Sequence, residues 1–154
     1  MHKYIACLFL FTLALNKTNA QEISTTPTND SSFAVKEVIN NMFVAMKNCD
    51  TVLLKTCFSS SAVLQTVVTK NGVVTVKDEL LNDFINSISK QPAGSLDERI
   101  KFDAVKVNKE LAIAWTPYQF YYKGKYSHEG VNSFQLVKFS EGWKIQYLID
   151  TRYR

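Results

Sequence analysis

The sequence predicts an α+β fold, with helices in the first half of the chain packed on one face of a curved antiparallel sheet. Before residue 90, apolar residues recur at helical spacing in separate stretches. After residue 98, long runs of β-branched and aromatic residues alternate with short turn signals. No internal repeat and no second linker interrupts this order, so we expect a single domain.

The N-terminus has the pattern of a secretory signal peptide. In MHKYIACLFLFTLALNKTNA, Lys3 precedes an apolar run over residues 4–15, and the segment ends Thr18-Asn19-Ala20, with small residues at −3 and −1. The apolar run is shorter than the roughly 18 residues that a membrane-spanning helix needs. We therefore expect cleavage after Ala20, export to the periplasm or the medium, and no membrane association of the mature chain.

Composition limits the classes of partner. Residues 21–32, QEISTTPTNDSS, are polar and predict a flexible leader, so the domain is expected over residues 33–154. Without Lys3 and Lys17 the formal net charge falls from +4 to +2, and no basic cluster or stripe remains. Nucleic acid is accordingly not an expected partner.

The first two helices follow from periodicity and capping. Residues 33–48 place apolar side chains at helical spacing behind a polar cap, with Val35, Val38, Ile39, Met42 and Met46 inward and Asp30, Ser31 or Ser32 as the cap. Asp50 is expected to cap a short second helix that ends near Phe58. Its predicted inward residues are Val52, Leu53 and Cys57.

A hairpin and a third helix come next. Residues 62–69 predict a strand, and Asn71-Gly72 is the signal of a tight hairpin turn. Thr75 and Asp78 have capping-box spacing, which predicts a third helix directly after them. Its expected apolar face consists of Leu80, Leu81, Phe84, Ile85 and Ile88.

Four long strands complete the chain. They are predicted over residues 99–107, 111–122, 126–139 and 143–152, with turns at 108–109, 123–124 and 140–142. Pro117 lies inside the second of them, where it predicts a bulge or a sheet edge because proline cannot donate a ladder hydrogen bond.

The cysteines and the lone mature histidine predict no metal site. Cys49 and Cys57 remain after signal cleavage, and export permits a disulfide between them. We interpret them as two buried thiols, because Cys57 falls in an apolar phase and their spacing matches no metal motif. His128-Glu129 lacks further ligands at metal-binding spacing, so neither a metal nor another cofactor is expected.

The order of these elements, closed by GVNSFQLVK (residues 130–138) and GWKIQYLIDTR (residues 142–152), resembles the nuclear transport factor 2-like superfamily, which includes SnoaL-like and ketosteroid isomerase-like proteins. The resemblance covers residues 33–154 and is nearest to small exported bacterial members of unassigned role. It implies a cone-shaped sheet wrapped around three helices and a pocket inside the cone. The superfamily includes isomerases, dehydratases and cyclases as well as binding and dimerisation modules, so fold analogy alone does not choose a function.

The register of the last hairpin decides which side chains meet. A three-residue loop over residues 140–142 pairs Phe139 with Trp143, and the same register opposes Asn132 to Asp150. One face of the sheet then carries His128, Asn132, Asp150 and Arg152 beside Phe134, Leu136 and Leu148. The opposite face carries Phe139, Trp143, Val137, Ile145, Tyr147, Ile149 and Val131.

Two placements of the polar set stay open. If it faces the interior of the cone, His128 and Asp150 form a candidate proton-transfer pair, with Arg152 or Asn132 stabilising an oxyanion. Tyr118, Tyr122 and Trp115 would then add hydroxyl donors and an apolar wall for a ligand. If it faces outward, Asp150 and Arg152 are explained as interface or rim ion pairs.

Three functions follow from these placements. The sequence favours an exported pocket protein that binds a small, partly apolar molecule without chemistry. The alternatives are a cofactor-independent lyase, isomerase or hydrolase that uses His128 and Asp150, and a non-catalytic dimerisation or interaction module. A homodimer through the open sheet face is expected because both faces of the sheet are substantially apolar.

Overall fold

The computed structural model describes residues 29–153, which form three helices and one curved, unclosed seven-stranded sheet. No helix in this part of the chain is both long and apolar enough to cross a membrane. The elements are α1 (Asn29–Asn48), α2 (Thr51–Thr56), β1 (Phe58–Lys70), β2 (Val73–Glu79), α3 (Leu81–Ser89), β3 (Leu96–Ile100), β4 (Ala104–Asn108), β5 (Leu111–Tyr122), β6 (Lys125–Phe139) and β7 (Gly142–Thr151). The predicted α+β fold is confirmed, whereas the signal peptide and most of the leader lie outside the described residues.

The sheet has the strand order β2-β1-β7-β6-β5-β3, and β4 pairs with β5 alongside β3. All neighbours are antiparallel except β1 and β7, which run parallel. The helix α1 packs on the concave side, where the ring of Phe43 meets that of Phe134 on β6 edge to face at 6.2 Å. The core therefore lies between α1 and the inner face of the sheet.

Helix α1 begins at Asn29, four residues before the expected start of the domain. The polar residues that were expected to belong to the leader or the cap thus lie in its first turn. Val35, Ile39, Met42 and Met46 are buried, which confirms the predicted inward face. Spacings of three and four residues place them on one stripe of the helix.

The cap of α2 is confirmed, because the side chain of Asp50 accepts a hydrogen bond from the backbone N–H of Leu53 at 2.9 Å. The inward face is partly wrong. Val52 is 77% exposed, and Leu54 is the fully buried residue of this helix. Six residues make fewer than two turns, so the directions of the side chains in the first turn, such as that of Val52, depend on the cap rather than on periodicity.

The β1–β2 hairpin turns at Asn71 and Gly72, with φ values of +52° and +78°, as the Asn-Gly signal predicts. The predicted capping box is wrong, because Thr75 and Asp78 are paired residues of β2. Helix α3 begins after Leu80, which makes no side-chain cap and is exposed. Sequence spacing alone did not reveal that the hairpin continues to Glu79.

The strand expected over residues 99–107 is two strands, β3 and β4, that pair with successive halves of β5. Pro117 lies opposite the break between them. The N–H of Lys101 donates to the carbonyl of Pro117, and the N–H of Asp103 donates to that of Trp115. Since proline offers no N–H in return, the ladder on this side is interrupted there. Pro117 thus lies at a gap between two partner strands, and not at the bulge or the sheet edge that was expected, because β5 is a central strand whose register shifts only at Phe120 and Tyr121.

The last hairpin departs from the predicted register at its turn and returns to it further along. Phe139 pairs with Gly142 rather than with Trp143, and a bulge between Gln135 and Leu136 shifts the pairing by one residue. Trp143 and Ile145 consequently lie on the inner, buried face, contrary to the predicted grouping. Beyond the bulge, Asn132 opposes Asp150 as predicted.

Cys49 and Cys57 are free thiols, and no disulfide joins them. Cys57 is buried, and burial raises the pKa of its thiol to about 11. Cys49 is half-buried at the end of α1, with a left-handed φ of +56°. The interpretation as two thiols is confirmed, with only Cys57 fully enclosed.

Candidate functional site

Asn132 of β6 and Asp150 of β7 face the interior of the cone. Asn132 is 4% exposed and Asp150 is 7% exposed, and they share the inner face with the fully buried Phe134 and Leu136. Of the two placements that the sequence left open, the inward one describes Asn132 and Asp150, whereas the side chain of Arg152 is 52% exposed and pairs with Asp150 at the opening, as the outward placement expected of this pair. Buried polar groups are costly unless they are hydrogen-bonded, so their partners define the site.

Asp150 is the centre of this group. Its Oδ2 accepts hydrogen bonds from Nε of Arg152 at 2.7 Å and from the hydroxyl of Tyr118 at 3.3 Å. Arg152 also donates from Nη2 to Oγ1 of Thr66 on β1 at 3.3 Å. Burial opposes the charge of Arg152, but the hydrogen bond and the charge of Asp150 outweigh it, so the pKa of the guanidinium is raised.

Glu98 enters the site from β3. Its Oε1 accepts a hydrogen bond from Nδ2 of Asn132 at 2.8 Å. Burial raises the pKa of the Glu98 carboxyl to about 7; the hydrogen bond from Asn132 opposes the shift and the charge of Asp150 adds to it. This carboxyl is therefore poised between its neutral and ionised forms near neutral pH.

Tyr118 reaches Asp150 by crossing over Gly130, its partner on β6. A Cβ on Gly130 would lie 1.8 Å from the carbonyl oxygen of Thr151 and 2.9 Å from the Tyr118 ring. The hydroxyl also donates to the Thr151 carbonyl at 2.9 Å. Burial, followed by the charges of Asp150 and Glu98, raises the pKa of Tyr118, so this hydroxyl stays protonated and acts as a donor.

A cavity of about 60 Å³ lies between this polar wall and the helices. Its apolar floor is formed by Met42, Phe43 and Met46 of α1 with Phe84 of α3. The rest of its lining is Leu64, Gln65, Thr66, Glu79, Glu98, Asn132, Leu148, Asp150 and Arg152. The site thus combines an apolar surface with a small number of converging polar groups, as ligand sites commonly do.

Two larger depressions lie elsewhere, with volumes of about 400 Å³ and about 380 Å³. The first runs between α1 and the β6–β7 turn, and the second lies where β3 and β4 separate. The charged side chains of the first, such as Glu37 and Lys138, are exposed, and those of the second include the exposed Arg99. Neither brings buried polar groups together, so the smaller internal cavity is the better candidate.

His128 lies on β6 beside this site. Its ring packs against Phe120, with centroids 5.0 Å apart, and meets Tyr118 edge to face at 5.8 Å. Its Nδ1 is 3.1 Å from the hydroxyl oxygen of Ser127. Tyr118 therefore contacts both members of the predicted pair, His128 through its ring and Asp150 through its hydroxyl.

Two of the predicted ligand-binding residues lie away from the cavity. Trp115 is 48% exposed on the outer face of β5, because the buried residues of that strand, Ala112, Ala114, Thr116 and Tyr118, alternate with it. Tyr122 is at the end of β5, where its hydroxyl donates to Gln91 at 3.1 Å. Asn132 and Arg152 line the cavity as expected, and Tyr118 supports Asp150 from behind.

Glu98 and Glu79 are the functional candidates that the sequence did not reveal. In SLDERI, Glu98 lies between Leu96 and Ile100 at a spacing of two, which places an acid in the middle of an inward, apolar row. That signal was available once a strand was assigned to these residues. Glu79 had no such signal, because the segment before α3 was expected to be a helix cap.

The arrangement can bind a molecule of a few atoms, and it can transfer a proton through a carboxyl that titrates near neutrality. Among residues 29–153, no group of three or more His, Cys, Asp and Glu side chains is placed to hold a metal ion. The groups that the site offers for chemistry are the carboxyl, amide, guanidinium and hydroxyl groups described above.

Comparisons with known proteins bear on the fold. No protein-family model and no curated protein matches this chain. A nuclear transport factor 2-like protein of unknown function from Shewanella baltica is similar in structure, with a TM-score of 0.65 and 16% identity over 84% of this chain and 99% of that one. A nuclear transport factor 2-like protein with a cystatin-like fold from Novosphingobium aromaticivorans has a TM-score of 0.65 and 12% identity, covering 80% of this chain and 82% of that one.

A domain of unknown function with a cystatin-like fold from Nostoc punctiforme has a TM-score of 0.64 and 18% identity, covering 82% of this chain and 80% of that domain. At these identities the similarity concerns the fold and carries no activity with it. The resemblance seen in the sequence is thereby confirmed at the level of the fold. This chain has the cone-shaped nuclear transport factor 2-like fold.

Proposed function

We propose that this protein binds a small, partly apolar molecule in the cavity inside the cone. The observation that carries the proposal is the convergence of Glu98, Asn132, Asp150 and Arg152 on one wall of a cavity whose floor is apolar. Such a site orients a ligand through its polar groups and holds it through the apolar floor.

The polar wall is hard to explain by stability alone. Burial disfavours the ionised form of Glu98, and this cost is the largest cause of its raised pKa of about 7. An apolar side chain of similar volume would fill this part of the core without that penalty. Strongly perturbed ionisable groups in a cavity are typical of functional sites.

The size of the cavity limits the ligand. At about 60 Å³ it is far smaller than the roughly 300–1,000 Å³ of pockets for drug-sized molecules. We therefore expect a ligand, or the buried part of a ligand, with only a few heavy atoms.

A fragment screen by ligand-observed NMR tests the proposal. We compare the wild-type protein with Thr66→Phe, which places a ring at the cavity wall on β1, and with Thr69→Phe, an exposed position on the same strand. We expect fragments that bind the wild type and Thr69→Phe but not Thr66→Phe. Fragments that bind all three proteins equally, or no binding from a broad small-fragment set, would count against the cavity as the binding site.

A second candidate function, acid–base catalysis on the bound molecule, is favoured by the near-neutral pKa of Glu98. A group that titrates near the working pH serves well as either acid or base. His128 and Asp150 would support it through their shared contact with Tyr118. Once a substrate is found, full activity in His128→Ala, Asp150→Asn and Glu98→Gln variants would exclude this function.

We further propose that the chain forms a homodimer through the outer face of its sheet. Ile113 and Trp115 on β5 are 43% and 48% exposed on that face, and Val63 on β1 is 45% exposed. Large apolar side chains exposed on one face of a sheet commonly mark an interface. A second copy of the chain is the expected partner because two-fold dimers are the commonest oligomers. Light scattering should give the mass of a dimer for the wild type and of a monomer for Trp115→Lys; a wild-type monomer would direct attention to other partners.

Export is proposed from the N-terminal pattern. The mature protein recovered outside the cytoplasm should begin at Gln21, and a chain beginning at Met1 in the cytoplasmic fraction would contradict this. N-terminal sequencing of the fractionated protein distinguishes the two results.

A further inference from the structure

The cavity carries more acid than base. Glu79, Glu98 and Asp150 line it together with a single basic residue, Arg152. That arginine is already committed, because its Nε donates to Asp150 at 2.7 Å and its Nη2 to Thr66 at 3.3 Å. The charge of Arg152 therefore offsets that of Asp150. Glu98, when it is ionised, and the exposed Glu79 are the excess carboxylates, so the cavity gains negative charge as pH rises through neutrality.

The carboxylates that line the cavity destabilise one another. After burial and the opposing hydrogen bond from Asn132, the charge of Asp150 contributes to the raised pKa of Glu98. At Glu79, on the β2 side, burial is the largest cause of a raised pKa; Arg152 opposes the shift, and Asp150 and Asp83 add to it. A positive charge placed among these groups would relieve both repulsion and desolvation.

The apolar floor of the cavity suits an organic cation better than a hydrated metal ion. Met42, Met46, Phe43 and Phe84 present thioether and aromatic groups but no oxygen ligands. Aromatic faces attract cations, and thioethers pack well against methyl groups. Magnesium and calcium, in contrast, are surrounded on all sides by oxygen ligands or waters, which the apolar floor does not supply.

We propose that the ligand of this cavity is a small alkylammonium ion, held between Glu98 and Asp150 with its methyl groups against the apolar floor. This inference rests on the proposed function and specifies its ligand class. An anionic ligand is disfavoured, because it would meet the two excess carboxylates and would have to compete with Asp150 for Arg152.

Binding of a cation is then coupled to release of a proton. The ionisable groups that surround Glu98 are Asp150 and Arg152 on β7, Tyr118 on β5 and Glu79 on β2, with His128 nearby on β6. Since the pKa of Glu98 is about 7 and the cation prefers the ionised carboxyl, affinity should rise with pH through neutrality. We expect binding about tenfold tighter at about pH 8 than at about pH 6.

The test compares three molecules of about four non-hydrogen atoms each and of different charge: trimethylammonium, neutral isopropanol and anionic acetate. Each is titrated into the purified full chain while the side-chain amide signals of Asn132 are followed by NMR, because Asn132 bonds to Glu98. Glu98→Gln removes the charge and retains an oxygen that can accept the Asn132 hydrogen bond. Glu110→Gln, an exposed position between β4 and β5, is the matched control.

We expect trimethylammonium to bind tightest, with a loss of at least about tenfold in Glu98→Gln and no loss in Glu110→Gln. If isopropanol or acetate binds as well or better at the Asn132 signals, the cation inference is wrong and the proposed function stands. If trimethylammonium binds without the Glu98 dependence or the rise with pH, the inference is also wrong. If none of the three binds, the cation inference fails, and the fragment screen separately decides the proposed function.

Discussion

Replacing Glu98 with glutamine should stabilise the protein above neutral pH and leave its stability almost unchanged near pH 4.5. Glutamine matches the neutral carboxylic acid in shape and keeps an oxygen for the hydrogen bond from Asn132. It removes the group whose ionisation is unfavourable inside the cavity. The difference in the free energy of unfolding between the variant and the wild type therefore measures the cost of ionising Glu98 in the folded protein.

The magnitude follows from the shift in pKa. The pKa of Glu98 rises from 4.5 to about 7 on folding, so between these values the folded state holds a proton that the unfolded state has released. The stability of the wild type is then highest below pH 4.5 with respect to this group, and it falls as pH rises toward 7. At about 1.4 kcal/mol per pKa unit, the loss is about 3 kcal/mol above pH 7.

Urea unfolding of the wild type and Glu98→Gln between about pH 4.5 and about pH 8 measures this difference. We expect the two free energies of unfolding to differ by less than about 0.5 kcal/mol at the acidic end and by about 3 kcal/mol at the basic end. The exposed Glu110→Gln should follow the wild type throughout. A difference between wild type and Glu98→Gln that does not change with pH would refute the account of Glu98 as a buried, repelled carboxyl.

Three further predictions concern the surroundings of the site. Gly130→Ala should lower the free energy of unfolding by about 3 kcal/mol, because its Cβ would collide with the Thr151 carbonyl. Gly94→Ala has open space around its Cβ and should lower it by only about 1 kcal/mol. Equal losses of the two variants in urea unfolding would contradict the close approach at Gly130. Tyr118→Phe should lose about 1–2 kcal/mol in the same assay, because Asp150 and the Thr151 carbonyl lose a donor, and an unchanged stability would show that this hydroxyl is unimportant. In thiol titration of the native protein, Cys57→Ser should leave the number of fast-reacting thiols unchanged, since the buried Cys57 has a pKa of about 11; loss of a fast thiol would contradict its burial.

Much of the fold could be predicted because its determinants are local. The Asn71-Gly72 turn and the Asp50 cap each depend on residues that are adjacent in sequence. The failures have non-local causes. The capping-box pattern before α3 was overridden by pairing between β1 and β2, and the strand expected over residues 99–107 breaks where it meets Pro117 of another strand.

The candidate site shows the same division. Opposition of Asn132 and Asp150 could be predicted, although the hairpin reaches it through a bulge between Gln135 and Leu136 that the sequence does not signal. The inward direction of this face depends on where α1 packs, which periodicity along β6 and β7 cannot decide. Glu98 was missed because its role requires knowing that β3 lies close enough to bond to β6 across the interior.

The central claim, that the interior of the cone is a binding site, is tested most directly by a crystal structure of the purified protein at high resolution. We predict an open cavity with ordered non-protein density that contacts the carboxylates of Glu98 and Asp150 and the side chains of Met42 and Phe84. A cavity closed by direct packing of those apolar side chains against the polar wall, with no space for a ligand, would contradict the claim.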